Sequence, residues 1–417
     1  MIKAVRGFKD ILPGETEKWV YLENLARKFF LNYGFREIRL PILEKTELFA
    51  RSIGEATDIV EKEMYTFLDR SKESLTLRPE ATAGICRAVI ENGLYAQAKV
   101  LKLFTIGPMF RHERPQKGRL RQFHQLNAEV FGSQAPGTDA EIITLALDIL
   151  EAGGAKNLRL EINSLGCPAC RPAFRQALRD FLAKLKDQLC EDCRRRAERN
   201  PLRALDCKKE SCQALYAEAP LIEEFWCEAC REHFSRVLGD LETLEVPYVK
   251  NPRLVRGLDY YVRTTFEIKA PDLGAQDTVA AGGRYDGLLK ALGGPDLPGV
   301  GFAIGMERFL LVADLKEGLA ARIDLFVAAL GDVARQKMLP LVHRLRKLGL
   351  AVDLDHEGRS LKAQLKQANR LGARYTLIVG ENELREKKAL LRDMESGSQE
   401  EISLEALEEA LLKRLGS

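Results

Sequence analysis

Two stretches of short strand patterns flank a long helical segment, and this arrangement constrains the fold more than any other feature of the chain. The first stretch, 75–132, alternates apolar and polar residues around one helical pattern, and the second, 254–305, returns to the same style. Residues 166–247 between them are helical in pattern and hold eight of the nine cysteines. We therefore expect one discontinuous domain with a helical insertion at 166–247.

The residues outside this core also show clear periods. Apolar residues recur every three or four positions from Trp19 to Phe30, and Gly34 marks the end of that helix. Apolar and charged residues then alternate over 35–43, which predicts a strand, with Pro41 at an edge or an interface because proline has no N–H. After about residue 320 a β-α-β-α-β pattern predicts a separate small domain with a largely parallel sheet. The expected domains are therefore 1–320 and 321–417.

The composition excludes several classes of protein. The 417 residues are 46% hydrophobic and 30% charged with a net charge of +3, as in globular proteins and unlike disordered or collagen-like chains. No run approaches the roughly 18 consecutive apolar residues that a membrane span needs. The opening residues carry a charge every few positions and no apolar stretch typical of a signal peptide. We expect a cytoplasmic protein.

The strand pattern at 121–130 gives the first candidate site. Strict alternation places four side chains on one face of this strand: Phe123, Gln125, Asn127 and Glu129. Such a face can line a pocket in which a ring stacks on a base, although a solvated sheet face has the same pattern. Five cations lie in or beside the preceding loop: Arg111, Arg114, Lys117, Arg119 and Arg121. Guanidinium groups suit phosphate, but basic hairpins also occur in nucleic-acid patches and on ordinary surfaces.

A third group of candidates follows the helical segment. Arg256 can neutralise a carboxylate or phosphate, and the hydroxyls of Tyr260 and Tyr261 can pair with an imidazole, although paired tyrosines are more often packing residues. The glycine-rich runs 281–287 and 299–308 lack the βαβ context of a dinucleotide site. They are better interpreted as room for a ligand beside the backbone, with Arg308 able to stack on a base.

Together, the motifs FRHER, RQFHQLNAEVFG, LVRGLDYY, AGGRYDG and GFAIGMER closely resemble those of the histidyl-tRNA synthetase family of class II aminoacyl-tRNA synthetases. The resemblance spans nearly the whole chain. It implies an α+β fold with an antiparallel sheet flanked by helices, a helical insertion and a C-terminal α/β anticodon-binding domain. It also implies a homodimer, with the strand around Pro41 at the interface. The implied activity joins L-histidine to tRNA(His) by way of histidyl-adenylate, with ATP as substrate and Mg²⁺ as cofactor.

The resemblance further implies roles for single residues. ATP would be bound by five of them: Arg111, Glu113, Arg119, Phe123 and Arg308. Histidine would be held by nine: Glu80, Ala81, Thr82, Arg111, Gln125, Glu129, Arg256, Tyr260 and Tyr261. Glu129 and Tyr261 would bind the imidazole nitrogens, and Arg111 and Arg256 would be catalytic. Ala81 stands where many relatives have glycine, which puts close backbone approach there in doubt.

The C-terminal domain has a basic stretch. Over 335–392 there are 14 lysines and arginines against 6 acids, whereas 393–417 holds 2 against 7. Four of the cations share or adjoin one helix face: Arg359, Lys362, Lys366 and Arg370. An ordinary solvated helix has the same charge pattern. The resemblance to anticodon-binding domains implies that these cations contact tRNA phosphates.

The cysteines leave a metal site open. Three pairs have Cys-x-x-Cys spacing, and the eight candidates for structural Zn²⁺ are Cys167, Cys170, Cys190, Cys193, Cys207, Cys212, Cys227 and Cys230. The resemblance does not imply a metal, since the family's insertion does not generally require cysteines. Buried or surface thiols are the alternative.

Two other functions are compatible with parts of the sequence. A synthetase-like regulatory subunit of ATP phosphoribosyltransferase binds histidine without charging tRNA, but this chain keeps the arginine-rich motif, Arg308 and the C-terminal domain. A zinc-dependent RNA-binding module with an inactive core would leave the catalytic arginines idle. The ligase is therefore the favoured interpretation.

Overall fold

The computed structural model describes residues 2–54, 57–207, 209–315 and 323–415. The chain divides into two compact units, Met1–Lys316 and Glu317–Ser417. The predicted boundary between residues 320 and 321 lies outside the described residues. Among the helices of the described ranges, none is long and apolar enough to cross a membrane.

The first unit contains strands and α-helices along its whole sequence. Its strands are β1 (Arg36–Glu37), β2 (Leu43–Lys45), β3 (Tyr65–Leu68), β4 (Ser74–Leu77), β5 (Leu101–Phe110), β6 (Gln122–Phe131), β7 (Arg159–Ser164), β8 (Tyr248–Lys250), β9 (Val262–Lys269), β10 (Thr278–Arg284) and β11 (Gly299–Gly305). Its α-helices are α1 (Thr16–Asn32), α2 (Thr46–Ile53), α3 (Thr82–Glu91), α4 (Pro136–Ala152), α5 (Arg171–Lys184), α6 (Glu191–Arg199), α7 (Glu210–Leu215), α8 (Glu228–Thr243), α9 (Leu288–Ala291) and α10 (Met306–Val312). Short 3₁₀ and π turns connect them.

Eight of these strands form one sheet in the order β1-β5-β6-β11-β10-β9-β7-β8. The pairs β1/β5 and β7/β8 at its two ends are parallel, and the pairs between them are antiparallel. A separate antiparallel sheet has the order β2-β4-β3. The predicted antiparallel sheet assembled from both β-rich stretches is confirmed.

One face of the large sheet is covered by α1, α4, α8 and α10, whose apolar residues form a continuous core with the strands. The predicted first helix is confirmed, and its period explains the packing, since Trp19, Leu22, Ala26 and Phe30 are its buried residues. Phe30 stacks on Phe104 of β5 with the ring centroids 4.6 Å apart. The residues that form the candidate site lie on the opposite face.

Two parts of the predicted strand pattern differ in the structure: 35–43 is interrupted, and 254–261 is not a strand. The pattern at 35–43 gives only the two-residue β1 and then β2, because the side chain of Arg78 donates to the carbonyls of Leu40 and Pro41 at 3.1 and 3.3 Å. Arg78 thus supplies donors to these carbonyls in place of a neighbouring strand. Residues 254–261 form a turn-rich loop, and β9 begins only at Val262.

The helices α5 to α7 follow β7, and α8 returns the chain to the core, where it packs against α4. Residues 166–247 are thus helical as predicted, but the apolar side of α8 belongs to the main core: Phe234, Val237, Leu238 and Leu241 are buried there.

The second unit is an α/β domain. Its strands are β12 (Leu325–Ala329), β13 (Val352–Leu354), β14 (Tyr375–Val379), β15 (Lys388–Asp393) and β16 (Gln399–Ser403), and its helices are α11 (Asp332–Lys347), α12 (Leu361–Arg370), α13 (Glu381–Arg385) and α14 (Leu407–Leu415). The sheet order is β13-β12-β14-β15-β16. The first three strands are parallel as predicted, whereas β15 and β16 form an unpredicted antiparallel extension.

Candidate active site

A cleft of about 300 Å³ opens on the other face of the large sheet, between β6, β10, β11 and the loop 254–261. The floor of the cleft carries the β6 side chains, one end is rich in arginine, and the other is rich in tyrosine and carboxylate groups. The predicted ATP and histidine residues that line it are Glu80, Thr82, Arg111, Glu113, Arg119, Phe123, Gln125, Glu129, Arg256, Tyr260, Tyr261 and Arg308.

The predicted face of β6 is confirmed, since Phe123, Gln125, Asn127 and Glu129 all line the cleft. β11 runs antiparallel beside β6 and places Gly301 opposite Glu129. A Cβ atom on Gly301 would overlap the carboxylate of Glu129 and the carbonyl of Ala128. Glycine at this position therefore leaves the space in which the Glu129 carboxylate lies.

Glu129 is the centre of the carboxylate end. The hydroxyl of Thr82 donates to its Oε1 at 2.6 Å, and the hydroxyl of Tyr285 donates to its Oε2. Burial raises the pKa of Glu129 to about 8, because desolvation disfavours the charged form more than these two hydrogen bonds favour it. A ligand that brings a cationic or N–H donor to this carboxylate would stabilise its ionised form.

Glu80 orders the carboxylate end of the cleft through hydrogen bonds to the backbone. Its two carboxylate oxygens accept the N–H groups of Thr82 and Ala83 at 2.6 and 2.8 Å, at the start of α3. These are donors that a helix N-terminus leaves without partners inside the helix. Glu80 thereby fixes Thr82, whose hydroxyl bonds to Glu129.

Two acceptors in the cleft are buried without a hydrogen-bond partner among the described residues. They are Oε1 of Gln125 and Oδ1 of Asn127, on the β6 face. A buried acceptor left without a donor costs about 1–3 kcal/mol, so such atoms are informative in a ligand site. Both can accept from a ligand ammonium or ring N–H group.

The arginine-rich end contains a flat aromatic surface between cations. The guanidinium of Arg111 lies 5.3 Å from the ring centroid of Phe123, and its Nε donates to the carbonyl of Pro79 at 2.9 Å. Arg119 pairs with Glu113. Arg308 donates to the carbonyls of Gly118 and Thr278 at 3.0 and 2.6 Å. These contacts hold three guanidinium groups around one cavity.

Arg256 lies on the loop 254–261 and faces the same cavity. It pairs with Glu267 of β9, which also accepts from the hydroxyl of Thr278 at 3.1 Å. The Nε of Arg256 is buried and has no hydrogen-bond partner in the part of the chain that the structure describes. This N–H group is free to meet an anionic ligand.

Some predicted residues lie elsewhere. Ala81 is fully buried in the apolar cluster behind α3 and does not line the cleft. Arg114 and Lys117 are exposed on the β5–β6 loop, and Arg121 donates to the carbonyl of Glu113. The eight candidate zinc ligands lie outside the cleft, in two groups of four.

Sequence reasoning did not assign Tyr285 or Glu267, although both line the cleft. Tyr285 stood in the quoted motif AGGRYDG, but its partner Glu129 is 156 residues away in sequence. The arginine of the same motif is structural: Arg284 is fully buried and pairs with Asp139 of α4, which also accepts from Thr264 at 2.6 Å.

The basic stretch of the second unit lies partly on α12. Lys362, Lys366 and Arg370 are exposed on this helix, whereas Arg359 precedes it and pairs with Asp355 at 2.9 Å. Leu361, Leu365 and Ala368 pack against the sheet: Ala368 is fully buried and the two leucines are partly buried.

Known proteins resemble this chain over nearly its whole length. A family profile described as histidyl-tRNA synthetase matches residues 7–309, and one described as anticodon binding domain matches residues 324–414. The chain is 57% identical to the histidine–tRNA ligase of Desulfotalea psychrophila over 97% of this chain and 94% of that protein. It is 52% identical to that of Syntrophotalea carbinolica over 99% of both.

Among solved structures, the apo histidyl-tRNA synthetase of S. aureus superposes with a TM-score of 0.84 at 37% identity and covers 99% of this chain and 100% of its own. The match of a family profile to most of the chain, together with full-length relatives above half identity, establishes the family. This chain belongs to the histidyl-tRNA synthetase family.

Proposed function

We propose that this chain is a histidine–tRNA ligase that activates L-histidine with ATP and transfers it to the 3′ end of tRNA(His), releasing pyrophosphate and then AMP. The observation that carries the proposal is a single cleft with a carboxylate end around Glu129 and an arginine-rich end around Arg111 and Arg308. The first end suits an imidazole and an ammonium group, and the second suits a nucleoside triphosphate. The product, histidyl-tRNA, is used in protein synthesis.

ATP occupies the arginine-rich end in this proposal. Arg111 binds the α-phosphate, and Phe123 and Arg308 cover the two faces of adenine, with Arg308 reaching toward the γ-phosphate. Glu113 accepts from the adenine edge and is oriented by its ion pair with Arg119. A guanidinium that is already positioned by backbone carbonyls, as in Arg111 and Arg308, loses little freedom on binding.

Histidine occupies the carboxylate end. Glu129 accepts from one imidazole nitrogen and Tyr261 pairs with the other, while Gln125 and Thr82 contact the amino acid. Tyr260 packs beside Tyr261 with the ring centroids 4.7 Å apart and forms the wall of this end. An isostere without the ring nitrogens would leave the buried Glu129 without its ligand partner, which favours histidine strongly.

The role of Glu80 in this proposal is positioning. Both of its carboxylate oxygens are already engaged by the backbone at the start of α3, so it orders Thr82 rather than gripping the ligand itself. Ala81 lies between these two residues in sequence, and its side chain is buried in the apolar cluster away from the cleft.

The chemistry of the first step is in-line attack of the histidine carboxylate on the α-phosphorus of ATP, with pyrophosphate as the leaving group. Arg256 lies at the junction of the two ends and neutralises the attacking carboxylate, and Arg111 stabilises charge on the α-phosphate. Holding both reactants in one cavity supplies the positioning that such a reaction requires. In the second step, the ribose hydroxyl at the 3′ end of tRNA takes the histidyl group and AMP leaves.

Mg²⁺ fits the donor set of the cleft. The carboxylate of Glu267 faces the cavity beside Arg256 and offers the hard oxygen that Mg²⁺ prefers, and Mg²⁺ is usually held by one or two carboxylates together with substrate phosphates. Bound there, it would neutralise charge on the pyrophosphate side of ATP.

The second unit is proposed to bind the anticodon arm of tRNA(His). The exposed cations of α12, Lys362, Lys366 and Arg370, support this role because phosphate contacts supply much of the affinity for RNA. Single-stranded anticodon bases would be read by side chains near this helix.

The proposed assembly is a homodimer that acts in the cytoplasm. The small sheet β2-β4-β3 exposes Leu43, Phe67 and Leu68, a group of apolar side chains suited to an interface near Pro41. All nine cysteines are free of disulfide bonds, which suits a reducing compartment. Sedimentation equilibrium of the protein and of a Phe67→Lys/Leu68→Lys variant tests the interface, and a wild-type monomer would refute it.

Histidine-dependent exchange of labelled pyrophosphate into ATP, measured without tRNA, tests the activation step. We expect exchange with histidine and not with the other standard amino acids, followed by charging of tRNA(His) on its addition. Absence of exchange from protein that still binds histidine would refute the ligase function.

A further inference from the structure

The cysteines of the helical segment are gathered into two groups. The first tetrad consists of Cys167, Cys170, Cys227 and Cys230, and the second tetrad consists of Cys190, Cys193, Cys207 and Cys212. Within each tetrad the four sulfur atoms lie within 4.8 Å of one another. In the first tetrad, residues 60 positions apart in sequence therefore converge on one point.

The spacing of the sulfur atoms matches a tetrahedral metal site. In the first tetrad the Sγ atoms of Cys167 and Cys170 are 3.7 Å apart, and Cys167 to Cys227 and Cys170 to Cys230 are each 3.8 Å. Zinc–sulfur bonds of about 2.3 Å in a tetrahedron require sulfur atoms about 3.8 Å apart. A disulfide requires about 2.05 Å instead.

The second tetrad has the same character. The Sγ atoms of Cys190 and Cys207 are 3.9 Å apart, and Cys193 and Cys212 are fully buried beside them. Helices α5, α6 and α8 each begin directly after a tetrad cysteine, namely Cys170, Cys190 and Cys227.

We propose that each tetrad binds one Zn²⁺ through four cysteine sulfur atoms, so that the chain carries two closed structural zinc sites. Four thiolates in a tetrahedron leave no position for water or substrate, so neither site is catalytic. The proposal stands on the geometry of the tetrads and is independent of the ligase function.

The second site has a specific consequence for the loop 254–261. Helix α6, which starts at this tetrad, is followed by Asn200, whose amide donates to Asp259 of that loop at 2.7 Å. Arg196 of the same helix pairs with Asp58 at 2.7 Å. Asp259 directly precedes Tyr260 and Tyr261, which line the cleft. The second zinc site thus holds in place the loop that carries Arg256.

The first site lies behind the same loop. Arg171, adjacent to Cys170, donates to the carbonyls of Leu165, at 3.1 Å, and of Tyr261. Arg263 donates its backbone N–H to the carbonyl of Gly166 at 2.8 Å, one residue before the tetrad begins. Both sites therefore support the C-terminal end of the loop 254–261, as positioning elements.

Metal content of the purified protein tests the proposal directly. Native mass spectrometry and elemental analysis of the wild type, grown with zinc and iron both available, should give two zinc ions per chain. We expect one zinc ion in Cys190→Ser/Cys193→Ser and one in Cys227→Ser/Cys230→Ser. Cys86→Ser is the matched control, because Cys86 is buried outside both tetrads, and should retain two.

Three results would overturn the proposal: fewer than two zinc ions in the wild type, iron as the principal metal, or unchanged zinc content in the paired variants. The wild-type measurement decides the matter even where a variant fails to fold. Neither measurement requires substrate, so the outcome is separate from that of the exchange assay.

The positioning role has its own readout. In the folded Cys190→Ser/Cys193→Ser variant, hydrogen exchange at 256–261 should accelerate, and the KM for histidine should rise roughly tenfold, the scale of one lost hydrogen bond to a charged group. The KM for ATP should change little, because Phe123 and Arg308 lie at the other end of the cleft. Unchanged loop protection on zinc loss would refute this role.

Discussion

Replacing Glu129 with glutamine tests the electrostatics of the carboxylate end. Burial raises the pKa of Glu129 from 4.5 to about 8, so the folded protein holds a proton on this group over a pH range in which the unfolded chain does not. The contribution of the protonated Glu129 side chain to wild-type stability is therefore complete below about pH 4.5 and is lost progressively as the pH rises to about 8. Glu129→Gln has no such loss.

The magnitude follows from proton linkage. Within this window the folded state holds one proton more than the unfolded state. Each rise of one pH unit therefore lowers the free energy of unfolding by about 1.4 kcal/mol. Over the window of Glu129, the difference between variant and wild type should grow by on the order of 5 kcal/mol in total and level off above about pH 8. Any hydrogen bond lost in the variant adds an offset that does not depend on pH over this range.

Urea unfolding at a series of pH values, followed by tryptophan fluorescence, measures this slope. Both tryptophans, Trp19 and Trp226, lie in the first unit and pack on its core, so the signal reports the unit that contains the cleft. Glu232→Gln, at an exposed position of α8, is the matched control and should run parallel to the wild type. A pH-independent difference between Glu129→Gln and wild type would show that Glu129 is already ionised in the folded state.

Three further outcomes are expected. Arg256→Ala should lower histidine-dependent pyrophosphate exchange by on the order of 10²-fold or more, the cost of removing one charge-stabilising group, with an unchanged circular dichroism spectrum; near wild-type exchange would contradict its role. Asp139→Asn leaves the fully buried Arg284 without its counter-charge and should lower the free energy of unfolding by roughly 3–5 kcal/mol in chemical denaturation, and a loss below about 1 kcal/mol would refute this. Lys362→Glu/Lys366→Glu should raise the KM for tRNA and flatten its salt dependence while pyrophosphate exchange stays unchanged, and an unaltered KM would remove α12 from the tRNA contact surface.

The β6 face shows why part of the site was predictable from sequence. A strand has a strict period of two, so the alternation at 121–130 determined which side chains share a face before any partner strand was known. Phe123, Gln125, Asn127 and Glu129 consequently line the cleft as predicted. Their roles toward ATP and histidine came from the family resemblance and remain proposals.

Cross-strand partners were not predictable in this way. The Tyr285 hydroxyl meets Glu129 because β11 lies between β6 and the strand β10 that precedes Tyr285, and this order is a property of the whole sheet. The strand expected at 35–43 is interrupted for a similar reason. The side chain of Arg78, which is distant in sequence, donates hydrogen bonds to the carbonyls of Leu40 and Pro41. Local pattern cannot report a side chain that competes for backbone groups from elsewhere.

The C-terminal strands β15 and β16 give a third case. They lie in the charged segment after β14, where Lys388, Arg392, Glu400 and Glu401 interrupt the apolar pattern. Only Ala389, Leu391 and Ile402 are buried, which is too few for a clear period. β15 forms a strand by pairing with β14, and the local sequence pattern does not indicate this pairing.

The large sheet ends in very short strands, and this has a consequence for solubility during folding. β1 spans two residues and β8 spans three, whereas β5 and β6 in the interior span ten each. An edge strand exposes unpaired N–H and C=O groups that another chain can use as a template, so short edges limit intermolecular β-addition. A refolding chain is therefore most prone to aggregate while the β5–β6 hairpin exists without its neighbours β1 and β11, and dilution at that stage should improve recovery most.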